Sequence, residues 1–137
     1  MPGSWYPMNI ARTGIILNVE RFDACVGFYR ELFGLQTLYE ERDGAFRLAC
    51  FGFGGSYLMI ETGGSAMPEG KSVEENASKI RINVADIESA LESVRAYGID
   101  AEITANDWGS TIDIYDPDGN RVGIREEQSF ETRIKAG

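Results

Sequence analysis

The sequence predicts an α+β fold: two tandem βαβββ modules forming an open, curved, eight-stranded mixed sheet with helices on the convex face. Three observations predict it. The segment Asn18 to Tyr29 reappears as Asn83 to Val94, 65 residues later and without a gap. The apolar positions of the copies coincide: Ile15 with Ile80, Leu17 with Ile82, Val19 with Val84, Phe22 with Ile87, Val26 with Leu91, Tyr29 with Val94. In each copy the apolar period changes from two to about 3.6, so a strand runs straight into an amphipathic helix, and three short runs bounded by turn residues follow.

The elements follow in order. Residues 1–11 hold Pro2, Gly3 and Pro7 with Trp5 and Tyr6, and read as an irregular arm pinned by its aromatics. A strand over about 13–19 leads into a helix over about 21–33. That helix buries Phe22, Cys25, Val26, Tyr29, Leu32 and Phe33 and stops at Gly34, which suits a left-handed cap. Strands at about 36–41, 45–51 and 56–61 come next, with Asp43-Gly44 and Gly52 to Gly55 at the turns. Residues 62–78 carry Gly63, Gly64, Pro68 and Gly70, show no period, and form a linker. The unit then repeats: a strand at 79–84, a helix capped by Asp86 and reaching Tyr97, and strands at about 100–105, 110–115 and 120–125. Module one thus spans about 12–61 and module two about 79–126. A polar C-terminal tail follows, with Phe130 and Ile134 as anchors.

Composition narrows the function. The 137 residues suit one domain, and 43% hydrophobic with 26% charged residues is ordinary for a globular protein. A net charge of −9 argues against a nucleic-acid partner, which needs a basic footprint. No apolar run approaches a membrane span, and no secretory signal is visible, so a cytoplasmic protein is expected. Cys25 and Cys50 have neither metal nor redox spacing and read as reduced, buried thiols. There is no histidine.

Element order, repeat and two local motifs resemble the vicinal oxygen chelate superfamily, which includes glyoxalase I, fosfomycin-resistance thiol transferases, extradiol dioxygenases and bleomycin-resistance proteins. The motifs are Phe28-Tyr29-Arg30 with Phe33-Gly34-Leu35, and the turn Asp116-Pro117-Asp118-Gly119-Asn120. The resemblance covers about 12–126. It implies a divalent metal held by side chains on the first and last strands of each module, and it maps those corners to Gly14, Lys79, Met59 and Gly123. Glycine offers no donor, lysine is a cation at neutral pH, and a thioether suits only soft metals. Glu61 and Asp113 lie near these strands, but two acids make a poor transition-metal site. No metal or other cofactor is expected.

Strand alternation turns Gly14, Ile16 and Asn18, then Tyr57, Met59 and Glu61, toward the concave face. In module two it turns Lys79, Arg81 and Asn83, then Arg121, Gly123 and Arg125, the same way. The basic cluster suits a carboxylate or phosphate; pairing with Glu61, Asp113 and neighbouring acids explains it equally well. Phe51, Phe53, Tyr57, Trp108 and Tyr115 fall near the cavity mouth and suit a flat ligand; Phe51 suits the core as well, whereas Trp108, between Asp107 and Gly109, reads as an exposed loop residue. No nucleophile–base pair is legible, and catalytic residues are not assigned; Tyr57, Glu61 or Lys79 would serve for proton transfer only if the cavity shifted their pKa. The expected ligand-binding residues are Asn18, Tyr57, Met59, Glu61, Lys79, Arg81, Trp108 and Arg121. The expected function is metal-independent binding of a small molecule, in the manner of antibiotic-sequestering proteins, by a homodimer. The alternative is a glyoxalase I-like lyase or a related isomerase or dioxygenase.

Overall fold

A strand that turns at once into a helix begins each half of the chain, as the repeat requires. The structure, a computed structural model, describes Gly3 and residues 5–137. Module one consists of β1 (Gly14–Val19), α1 (Phe22–Gly27), β2 (Thr37–Asp43), β3 (Phe46–Phe53) and β4 (Ser56–Thr62). Module two consists of β5 (Ile80–Val84), α2 (Ile87–Ala96), β6 (Thr104–Asn106), β7 (Gly109–Tyr115) and β8 (Arg121–Glu126). The eight strands are hydrogen-bonded as two four-stranded mixed sheets, ordered β1-β4-β3-β2 and β5-β8-β7-β6. β1 runs parallel to β4 and β5 parallel to β8; the remaining pairs are antiparallel. None of the described helices is long and apolar enough to cross a membrane.

The two helices start differently. Asp86 caps α2, accepting from the N–H groups of Glu88 and Ser89. α1 has no side-chain cap of its own and continues as a π-helical turn over Phe28–Leu32, which buries Phe28 and Tyr29 side by side. Gly34 follows with φ 63°, the left-handed conformation its position suggests.

One apolar core runs through both modules, from Val19, Phe28, Phe51 and Ile60 to Leu91, Val94, Ile112 and Ile124. Phe51 belongs to this core and not to the cavity mouth. The turn Asp116–Asn120 locks the modules together. Asp118 accepts hydrogen bonds from the backbone N–H of Glu20 at 2.8 Å and of Arg21 at 2.9 Å. Tyr29 donates to Asp116 at 2.7 Å. The linker wraps the same turn: Met67 N–H donates to the Asp118 carbonyl and Lys71 N–H to the Gly119 carbonyl.

Three local expectations change. The arm is not pinned by its aromatics, since Trp5 and Tyr6 are 69% and 77% exposed; Pro2 lies outside the described residues. β6 is short because the preceding stretch is held by α2, with Arg95 donating twice to the Ala101 carbonyl. The C-terminal tail forms a helix, α3 (Glu127–Ala136). It buries none of its residues, so apolar periodicity could not reveal it. Its determinants are polar: Glu126 caps the Ser129 N–H, and Lys135 pairs with Glu131 one turn away.

Candidate ligand-binding faces

The ladders decide which side chains share a sheet face. Gly14 lies opposite Tyr57, Ile16 opposite Met59 and Asn18 opposite Glu61. Tyr57, Met59 and Glu61 in turn oppose Gly52, Cys50 and Leu48, and Tyr39 opposes Cys50 on β2. On module two Arg81 opposes Gly123 and Asn83 opposes Arg125. Arg121, Gly123 and Arg125 oppose Tyr115, Asp113 and Thr111.

Module one presents an apolar cleft of about 460 Å³, lined by Arg12, Leu38, Tyr39, Cys50, Tyr57 and Met59. The Tyr57 ring lies flat over Gly14, where any Cβ would collide with it. Cys50 forms part of the wall; burial pushes its thiol pKa up, and the nearby Arg12 charge pulls it down. The Tyr39 hydroxyl is raised above its ordinary value by desolvation first, then by Cys50, Glu41, Tyr57 and Glu61. Of the expected residues, the structure brings Tyr57 and Met59 together here. Asn18 donates to the Thr62 carbonyl at 3.2 Å, along the sheet, and neither it nor Glu61 is among the residues that line this cleft. Arg12, Leu38 and Tyr39 were not foreseen. Arg12 is in phase with Gly14 and Ile16, so extending the alternation two residues upstream would have found it. Tyr39 required the β2–β3 register.

Module two is polar and largely occupied by its own contacts. Lys79 and Arg121 line a second cavity of about 290 Å³ with Asp113 and Tyr115. Lys79 is paired with Asp113 at 2.9 Å. Arg121 donates to the carbonyls of Asn76, Ala77 and Ser78 in the linker. Arg125 stacks between Trp108 and Phe130, 4.8 Å and 5.2 Å from the ring centroids, and donates to the Trp108 carbonyl at 2.6 Å. Arg81 packs over the other part of this aromatic shelf, 5.7 Å from the Trp108 centroid. It has no carboxylate partner within ion-pair distance among the described residues. Trp108 is thus a cation-stacking residue beneath α3, and 37% of it is exposed.

The sequence profile of the Glyoxalase/Bleomycin resistance protein/Dioxygenase superfamily matches residues 10–124. The chain belongs to this superfamily. No curated protein matches it. Among solved structures, FosX, the fosfomycin resistance protein of Listeria monocytogenes solved with Mn(II) and sulfate, is similar at a TM-score of 0.68 and 18% identity, covering 87% of this chain and 93% of that one. Lactoylglutathione lyase from Agrobacterium tumefaciens matches at 0.64 and 21% identity, over 89% of this chain and 96% of the other. TnmS3, an antibiotic binding protein from Streptomyces sp. CB03234, matches at 0.65 and 17% identity, over 88% and 98%. At these identities the likeness is one of fold.

The superfamily's metal corners, carried over by resemblance to Gly14, Met59, Lys79 and Gly123, do not suit a divalent ion. The Tyr57 ring covers Gly14. A Cβ at Gly123 would come within 2.8 Å of Lys79 Cε and 2.9 Å of Arg81 Nη1, so two cations crowd that corner. Met59 supplies only a thioether, in an apolar cleft. Among the described residues no three Cys, Asp or Glu side chains cluster as a metal site elsewhere.

Proposed function

We propose that this superfamily member is a small-molecule binding protein that works without a metal, sequestering an antibiotic or metabolite. The observation that carries this reading is the module-one cleft, walled by Leu38, Tyr39, Tyr57 and Met59 on the face where the fold would otherwise carry metal ligands. Capture by shape, stacking and charge needs no metal. The cleft suits a flat, conjugated ligand. Arg12, on the wall of the cleft, has no carboxylate partner within ion-pair distance among the described residues, and favours a ligand bearing a carboxylate or phosphate. The antibiotic-binding description of TnmS3 supports the same type of role.

The protein is proposed to act as a homodimer. Trp5, Tyr6, Met8 and Ile10 are 69–89% exposed along the arm, a concentration of apolar surface that a second copy would cover. A monomer mass by sedimentation at tens of micromolar would overturn this.

Calorimetric titration of aromatic antibiotics, with and without an acidic group, tests the binding reading. Tyr57→Ala is expected to weaken binding by about five- to a hundredfold, since aromatic stacking contributes roughly 1–3 kcal/mol. Arg12→Ala should weaken only the acidic ligands, with melting temperature unchanged. Added Ni²⁺, Zn²⁺ or Mn²⁺ should change neither. Stoichiometric metal at micromolar affinity, or metal-dependent lyase turnover, would overturn the proposal in favour of an enzyme.

A further inference from the structure

The duplication leaves one socket filled and its twin empty. At the filled socket, module two's turn inserts against α1: Asp116 and Asp118 are 2% and 0% exposed, Tyr29 bonds Asp116, and the Cys25 thiol lies 3.8 Å from Asp118. The 65-residue offset carries Cys25 to Ala90, Phe28 to Ser93 and Tyr29 to Val94, and carries Asn18-Val19 to Asn83-Val84. All five of these second-copy residues line one cavity of about 340 Å³ between the modules.

The ladders explain why nothing fills it. Cys50 opposes Met59 as Asp113 opposes Gly123, which makes Phe53 the counterpart of Asp116. Beyond Phe53 the module-one turn has only Gly54 and Gly55 before Ser56, where module two has Pro117, Asp118 and Gly119 before Asn120. The turn is one residue shorter and brings no side chain past Phe53. On the other wall, alanine, serine and valine stand where cysteine, phenylalanine and tyrosine fill the first socket.

We propose that this inter-module socket is a ligand site for a small, uncharged aromatic molecule with one hydrogen-bond donor, in the class of phenols and indoles. The volume lies at the lower end for small-ligand pockets, and no charged side chain lines it. An ionic ligand would lose its hydration there without compensation. The donor's partner is Ser93, which brings a hydroxyl to the cavity wall where the first socket has the Phe28 ring. This site is separate from the module-one cleft, and its failure leaves the proposal for that cleft standing.

The test is titration of the full chain with indole and phenol, followed by methyl NMR and calorimetry. Saturable shifts are expected at Leu32, Ile82, Val94 and Ile124, with sub-millimolar affinity. Ser93→Phe, which restores the bulk Phe28 supplies in the other socket, should weaken binding at least tenfold; Ala90→Leu serves as a second filling variant. Benzothiophene, shaped like indole but lacking its N–H, should bind wild type about 3–10-fold more weakly, and Ser93→Ala should abolish that difference. No shifts at millimolar indole, shifts centred on the Tyr57 cleft instead, or affinity unchanged in the filling variants would overturn the site. Equal affinity for indole and benzothiophene would overturn the role of Ser93.

Discussion

α1 and α2 hold equivalent places in the duplicated modules, yet they are built into the molecule by different means. α2 is self-sufficient: Asp86 caps it from its own chain segment, and its buried face is Leu91 and Val94. α1 lacks such a cap and depends on the other module. The N–H groups just ahead of it donate to Asp118, and its Tyr29 hydroxyl reaches Asp116. The Asp116 carboxylate also accepts from the backbone N–H of Asp118 and Asn120 and from the Asn120 amide, so the buried charge is fully hydrogen-bonded. One socket is therefore a charged, interlocking joint and the other an apolar gap. Duplication supplies the same scaffold twice, and small changes at a few positions make one copy a fastener and leave the other open. The open sheet faces diverge likewise, one an aromatic cleft, the other a set of cations engaged by Asp113, the linker carbonyls and Trp108.

The sharpest way to break the comparison is Asp118→Ala. It strips the acceptor from two backbone N–H groups at a buried joint, and a loss of about 3–5 kcal/mol in urea unfolding is expected. A loss under about 1 kcal/mol would mean that the joint does not couple the modules. Tyr29→Phe is milder. It removes one hydrogen bond to a carboxylate that keeps three others, and should cost about 1–3 kcal/mol.

The joint also carries the alkaline limit. Burial, then Asp116 and Asp118, push the Cys25 thiol far above its ordinary 9.0, and burial with Asp116 raises Tyr29 well above 10.0. Both stay protonated in the fold while the unfolded chain ionises them, so stability is whole below about pH 9 and falls as pH rises beyond it. Ala90 and Val94 at the twin socket do not titrate. The double variant Cys25→Ala, Tyr29→Phe should flatten the fall between pH 9 and 11 in thermal melts; an unchanged slope would place the sensitive groups elsewhere.

The smallest effect concerns the second module's cover. Phe130→Ala removes one side of the stack on Arg125 and should cost about 0.5–1 kcal/mol. It should also shift tryptophan emission to the red as Trp108 becomes wetter. Unchanged emission would show that α3 does not shield the shelf.

Much of this was legible in the sequence because it is local or periodic. The offset repeat, the apolar phases and the Asp86 cap specify strands and helices from neighbouring residues alone. Glycine at 14 and 123 and lysine at 79 disqualify a metal corner by residue chemistry, whatever surrounds them. The inward phase of Tyr57 and Met59 follows from alternation. What the sequence could not decide depends on partners distant along the chain. Whether Lys79 and Arg121 are free cations is a matter of Asp113 and the linker carbonyls, 34 to 45 residues away. Trp108 is the exposed turn residue its neighbours Asp107 and Gly109 suggest, but that Arg125 and Arg81 lie against its ring only the tertiary structure decided. The Asp116–Asn120 turn was recognisable as a motif, but its hold on α1 spans 87 to 98 residues. The empty socket is legible in Ala90, Ser93 and Val94 only once the fold brings Phe53 to the same cavity, because a cavity belongs to no residue and exists only where packed elements fail to meet.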